Sequence, residues 1–360
     1  MKFTLFSLII AIVLLFAITP ALQAEGDDCP DETCAENPQE YGLSDEIIMS
    51  YIEPNFVTNE MDTSLLYDRR YMRVNEAVDV HDAPNGNYIR TLAAGFNFVT
   101  AFNEQDGWIR IGLGSPEEWV RLDKLVDANY KVSHFTGIFL AEETLEYTVA
   151  WVLVEGYPAN EPGGEPLEEN GFLERYTRIT IFDTVEIDGW NWYQIGVGKW
   201  IHQTDIAKMV PVERPEEVTT DKWISVDLYE QVLIVHQDDK PIFVTLISSG
   251  LLRWPTFEGI FNIFFRTTRR QMSWGTPGDD FYYLEEVPWT LFFDDGRALH
   301  GTYWHDGFGY RRSHGCVNLS ITDAHWLYYW VAEDFDTLRS PGVDVETGPA
   351  VYVYSSGVYR

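Results

Sequence analysis

The chain has 360 residues, enough for two or three domains, and 45% of them are hydrophobic, so sizeable cores can be built. Aromatic residues reach 15%, which leans toward strands. A formal charge of -32 argues against nucleic acid or an anionic membrane surface as partner, since both reward basic patches, and it fits a solvated, secreted protein.

Residues 1–24 read as an export signal: Lys2, an apolar run from Leu5 to Ile18, the breaker Pro20, then small residues to Ala24. An uncleaved anchor is the competing reading, because the run is nearly long enough to cross a thinned bilayer. In an oxidising compartment Cys29 and Cys34 either close a small disulfide or stay as two thiols of an acidic leader. From Glu25 to about residue 70 the chain is acidic with scattered apolar residues, and a linker with one short helix is expected.

Between residues 71 and 128 short alternating segments are separated by turn residues such as Pro84-Asn85-Gly86-Asn87 and Gln105-Asp106-Gly107-Trp108. Asn-Gly and Asp-Gly between alternating runs signal hairpins. The pattern of Asp-Gly-Trp, a short strand and Trp119-Val120 resembles a bacterial SH3-like barrel. It recurs between residues 140 and 209, where Asp188-Gly189-Trp190 leads to Trp200-Ile201, which points to an internal duplication. Aromatics at strand spacing are more often core than ligand contacts, so both modules are expected to be spacers rather than wall-ligand binders.

Residues 210–220, with Pro211, Pro215 and three glutamates, read as a stiff charged linker. A third domain, 221–355, opens with Trp223 to Leu228, whose period-two alternation predicts a half-buried strand. Further strands are expected at Val232–Gln237, Ile242–Ile247, Gly259–Arg266, Trp289–Phe293 and Val351–Tyr354. One helix is expected after residue 319, with Ser320 and Asp323 as a capping box and Ala324, Leu327, Tyr328 and Val331 on one face. The fold class is therefore mostly β: two small barrels, then a curved mixed β-sandwich carrying that helix.

The chemistry concentrates between residues 300 and 318. His300-Gly301-Thr302-Tyr303-Trp304-His305 is followed by a polar, glycine-rich turn and then Ser313-His314-Gly315-Cys316-Val317-Asn318. A thiol does covalent work as a thiolate, which needs an imidazole or another positive field nearby. Gly315 leaves room for a carbonyl to approach the sulfur. These residues resemble the signature of the L,D-transpeptidases (YkuD-type) of bacterial cell walls. The resemblance extends through Ser248-Ser249-Gly250, Pro255 to Phe261 and Val287-Pro288-Trp289, covering roughly residues 221–354. The segment Trp254 to Gly259 carries one residue more than the family's Thr-Pro-x-Gly.

The resemblance implies Cys316 as nucleophile, His300 as base or imidazolium partner, and the Gly301 carbonyl as the group that orients the imidazole. Amides around Gly315 and Cys316 would receive the oxyanion. His314 and Ser313 would support the loop, and Asn318 would hydrogen-bond the loop or the substrate. The implied substrate is a peptidoglycan stem peptide, attacked at its third residue with loss of the terminal D-Ala. An amine acceptor gives a cross-link between third residues, and water gives an L,D-carboxypeptidase. A wall-binding protein with a decayed catalytic domain is a third reading. Carbapenem-type lactams are implied as inhibitors.

Arg311 and Arg312 are candidates to grip a stem carboxylate, with Arg266, Arg269 and Arg270 as a second basic group. Tyr303, Trp304, Tyr282, Tyr283 and Trp289 are candidates to wall the cleft, while His305 and His325 are expected to pack or lie at the surface. A zinc site built from His300, His305, His314 and Cys316 would match no common ligand spacing, so neither metal nor cofactor is expected.

Overall fold

A computed structural model describes residues 41–141, 145–276, 279–332 and 348–358. The export signal, Cys29 and Cys34 lie outside the described residues. Two β-sheets make up most of the fold. In the first, seven strands lie in the order Val57–Thr58, Ile138–Phe139, Lys240–Leu246, Val232–Gln237, Lys222–Asp227, Ala350–Tyr354 and Gly259–Asn262. Lys222–Asp227 and Ala350–Tyr354 run parallel, while the neighbouring pairs are antiparallel. The second sheet runs from Val317–Leu319 through Arg297–Gly301 and Asp279–Asp294, with Phe265–Thr276 alongside the last of these.

The core lies between these sheets. Ile224, Val226, Leu233, Val235 and Phe243 from the first sheet meet Val287, Leu291, Phe293, Leu299, Val317 and Leu319 from the second. Ile321–Ala332 is the helix that follows, and it buries Ala324, Leu327, Tyr328 and Val331 in the same core. The predicted helix face is thus the buried face.

Its expected capping box is half formed. The Asp323 amide donates to Ser320 Oγ at 3.2 Å, but the Asp323 carboxylate turns inward instead of reaching back. It accepts from Asn59 Nδ2 at 2.9 Å, from Gly137 N–H at 3.0 Å and from Thr245 Oγ1 at 2.6 Å. Burial pushes this carboxyl above the usual carboxylate range, and those donors pull it back.

Two other strand expectations are corrected. The strand expected at Gly259–Arg266 breaks around the fully buried Ile263. Gly259–Asn262 belongs to the first sheet and Phe265–Thr276 to the second, so the chain turns a corner between layers here. Lys222–Asp227 is not half-buried but buried from Trp223 to Asp227. Its second face is covered because the Trp223 ring stacks on His236 at 3.6 Å, and Val218 and Ala350 pack beside it. The expected linker therefore touches the sheet through Val218.

Residues 41–68, expected within a linker, carry two short helices, Asp45–Ser50 and Thr63–Leu66, and a two-residue strand that extends the first sheet. Leu66 is fully buried in the main core. The segment 71–128 has its own small core, from Met72 to Leu125. Its strand Phe96–Gln105 also pairs in parallel with Asp279–Asp294, matching Phe96 to Tyr282 and Phe98 to Leu284. The second sheet therefore runs on without interruption into the N-terminal segment.

The two Asp-Gly-Trp segments fold alike. Asp106 and Asp188 have φ of 51° and 52°, followed by Gly107 and Gly189 at 78° and 79°, the turn that closes a two-residue hairpin. In each case a strand, a 3-10 turn and a short strand follow, at Glu118–Asp127 and Lys199–Lys208. Trp119 and Trp200 are buried in both.

Candidate active site

The parallel pair Arg297–Gly301 and Val317–Leu319 sets the site. Its register puts Leu299 opposite Val317 and His300 opposite Asn318. Alternation along the pair then turns His300, Asn318 and Cys316 to one face. That face is the floor of a cleft of about 350 Å³, lined also by Ser313, His314, Trp304 and Arg312. Cys316 itself is half-buried.

His300 is nearly inaccessible, and its Nδ1 lies 3.1 Å from the Gly301 carbonyl. A carbonyl only accepts, so Nδ1 carries the proton and Nε2 holds the lone pair. Burial pushes the imidazole down to about 4, so it is neutral near pH 7. Burial likewise raises the Cys316 thiol, partly offset by the Ala298 amide and the Arg297 guanidinium. At neutral pH the cleft floor therefore holds an uncharged thiol and an uncharged imidazole.

The loop before Cys316 is tied at each residue. The Ser313 hydroxyl donates to the Cys316 carbonyl and accepts the Gly315 N–H at 3.0 Å. Of the two amides expected to receive an oxyanion, that of Gly315 is thus committed to Ser313, which leaves the Cys316 amide as the candidate. Gly315 has φ of 113°, and a Cβ there would lie 2.8 Å from Arg297 Nε, so glycine is required. Thr256 Oγ1 donates to the Gly315 carbonyl at 2.9 Å and accepts from Gly250 N–H, so the lengthened 254–259 segment holds the loop that leads to Cys316. His314 stacks on Trp254 at 3.8 Å and lies 4.9 Å from the Tyr282 ring, an arrangement that supports the loop.

Some expected substrate contacts are corrected. Tyr303 does not line the cleft: it is fully buried, stacked on Tyr71 at 3.6 Å, and its hydroxyl donates to the Glu285 carbonyl at 2.6 Å. Its hydrophobic ring and single polar tip are both satisfied in the core. Trp304 does line the cleft, with its ring 5.7 Å from that of His300. Tyr282 lines the cleft, whereas Tyr283 projects to the opposite face of its strand and Trp289 is buried in the core.

Arg311 donates to the carbonyls of Gly250 and Leu228, bracing the loop. Arg312 is exposed at the cleft with only Nε directed to the Gly307 carbonyl, and among the described residues no carboxylate pairs with it. Arg269 is committed elsewhere, to Asp68 and the Tyr71 hydroxyl, and Arg266 lies over the Tyr328 ring. That second basic group lines no part of the cleft.

His305 packs, as one of its two expected placements has it, with its ring 5.5 Å from Phe308, and it also lines the cleft. Its Nδ1 accepts the Gly307 N–H at 3.0 Å, and burial pushes its imidazole down to about 3. A neutral ring accepting at Nδ1 carries its proton on Nε2, which lies 2.9 Å from the Asn318 amide. The amide must then meet it through oxygen, which leaves the Asn318 NH2 as a donor in the cleft wall. The histidines are thereby engaged separately, and among the described residues no three His, Cys, Asp or Glu side chains converge as a metal site.

The turn between His300 and Cys316 is held from the second module. Arg175 donates to the carbonyls of Asp306 at 2.8 Å and Phe308 at 3.2 Å, and the Tyr176 hydroxyl donates to the Asp306 carboxylate at 3.0 Å.

Fold and site together define a mixed-β domain with a thiol and an imidazole on one cleft floor. Residues 221–352 match the model of the YkuD family, the L,D-transpeptidase catalytic domain, and this segment is a catalytic domain of that family. No curated protein matches the chain. Among solved structures, an L,D-transpeptidase from Stackebrandtia nassauensis is 28% identical, over 38% of this chain and 57% of that one, with a TM-score of 0.27. A mutant of the Enterococcus faecium L,D-transpeptidase is 21% identical over 41% and 55%, with a TM-score of 0.31. The E. faecium catalytic domain acylated by ertapenem is 25% identical over 38% and 98%, with a TM-score of 0.29. The chain spans little more than half the length of the first two.

Proposed function

We propose that the protein is a peptidoglycan L,D-transpeptidase that works through a cysteinyl thioester. The observation that carries this is the imidazole whose Nδ1 is fixed on the Gly301 carbonyl, sharing a cleft floor with Cys316 in a YkuD domain. The Cys316 sulfur attacks the carbonyl carbon of the third stem residue while its proton passes to His300 Nε2. The oxyanion is received by the Cys316 amide. The C–N bond to the terminal residue then breaks, and the leaving amine takes the proton from His300. An amine of a second stem attacks the thioester, the C–S bond breaks, and the thiol is restored. Arg312 is the side chain offered to a stem carboxylate, and the Asn318 NH2 is offered to a substrate carbonyl.

Residues 1–24 support export to the wall side of the membrane as part of the same proposal. Carbapenems fit as inhibitors because a strained lactam presents an electrophilic carbonyl to the same sulfur.

Incubation of the full chain with defined tetrapeptide muropeptides, followed by mass analysis, tests the proposal. Cross-linked dimers lacking one terminal residue are expected, and Cys316→Ala should yield none. Tripeptides without dimers would make water the acceptor and the protein a carboxypeptidase. Unchanged tetrapeptide, or products formed equally by Cys316→Ala, would overturn the proposal.

A further inference from the structure

The cleft is not built by the catalytic segment alone. Phe96, from the N-terminal module and outside the matched residues 221–352, lines it beside Tyr282, Leu284, Met272 and Leu251. The geometry follows from the strand register. Phe96 pairs with Tyr282 and Phe98 with Leu284 in a parallel ladder, so these four side chains share one face of the joined sheet. Asn97, Tyr283 and Glu285 take the other face. Phe98 is buried beneath this wall, with its ring 6.1 Å from Tyr303, whereas Phe96 meets Phe98 edge-on at 5.2 Å and remains 43% exposed. Tyr303 stacks on Tyr71 from the same module and meets Trp304, which in turn adjoins His300. An aromatic series thus runs from the N-terminal module to the base.

We propose that Phe96 is a specificity residue of the active site, and that the N-terminal module supplies the apolar wall against which the donor peptide's aliphatic side chain lies. This deepens the transpeptidase reading and rests on it. The same cleft is also lined by Arg312, His314 and the Asn318 amide, polar groups that suit the ends of a diamino acid, while the apolar residues suit its methylenes. A half-exposed phenyl ring at the cleft edge loses its remaining water contact when those methylenes cover it. Lost contacts of this kind change discrimination by roughly one to two orders of magnitude. The ring touches no reacting atom, so it acts on substrate binding and leaves the reactivity of the thiol alone.

The test compares wild type, Phe96→Ala and Phe96→Leu as full chains, on a tetrapeptide donor and, separately, on iodoacetamide. Phe96→Ala should lower kcat/KM for the tetrapeptide roughly tenfold, mainly through KM. Phe96→Leu should recover most of that loss, and alkylation of Cys316 by iodoacetamide should proceed at the wild-type rate in all three. Equal kcat/KM in an active wild type and Phe96→Ala would overturn the assignment alone. So would a matching loss in alkylation rate, because the ring would then be holding the fold. A wild type without turnover would overturn the transpeptidase reading and this assignment together.

Discussion

At the scale of single residues, burial decides which groups carry charge. His300 is pushed down to about 4 and His305 to about 3, both by loss of water, so both imidazoles rest uncharged near neutral pH. Glu285 shows the opposite case. It is 6% exposed, and burial lifts its carboxyl to about 7 even though the Thr100 N–H and the Tyr283 hydroxyl donate to it. The folded state then holds a proton that the unfolded chain has already released, so this residue's contribution to stability falls as pH rises from about 4.5 to 7. Wild type should therefore lose about 2 kcal/mol relative to Glu285→Gln between pH 5 and pH 8. Urea unfolding at both pH values checks it; a constant difference contradicts the shift. The meeting of His300 with the Gly301 carbonyl, and the place of Cys316 in the same cleft, were legible from family likeness because these residues lie close together in sequence. Tyr303 was not legible, because a Tyr beside a catalytic motif reads the same whether its ring faces solvent or a stacked Tyr71. The packing of His305 was legible but its contact with Asn318 in the cleft was not, because that partner is thirteen residues away, across a turn whose path no periodicity describes.

At the scale of elements, the helix Ile321–Ala332 is held by its buried acid as much as by its apolar face. Asp323 joins the leader at Asn59, the Ile138–Phe139 strand at Gly137 and the Lys240–Leu246 strand at Thr245. Asp323→Ala would leave all three donors buried and unpaired, costing about 3 kcal/mol or more. Asp323→Asn keeps an acceptor and should recover part of that stability. Chemical denaturation that ranked the two variants equally would contradict the role. The helix and its apolar face were readable from a 3.6-residue period, and the hairpins from Asp-Gly. The inward turn of Asp323 was not readable, since Ser-x-x-Asp is also the pattern of a local cap and its competing partners lie 78 to 264 residues away. The corner at Ile263 was hidden for a similar reason: an unbroken apolar run does not show which sheet it joins.

At the scale of the molecule, the described residues form one compact unit rather than modules strung on linkers. The N-terminal module shares a sheet with the catalytic segment, and Arg175 and Tyr176 of the second module grip the turn that leads to Cys316. These contacts are brief in sequence and distant along it. A three-residue parallel pairing leaves no pattern to read, although each module's own strands do. Everything proposed for the whole depends on a neutral imidazole drawing a proton from a neutral thiol in a cleft that several segments build. Intact-mass spectrometry of the full chain with ertapenem measures this most directly. Wild type should gain one adduct, mapped to Cys316, and His300→Ala should acquire it roughly 100-fold or more slowly. An adduct on another residue, or one formed at the same rate without His300, would contradict the account.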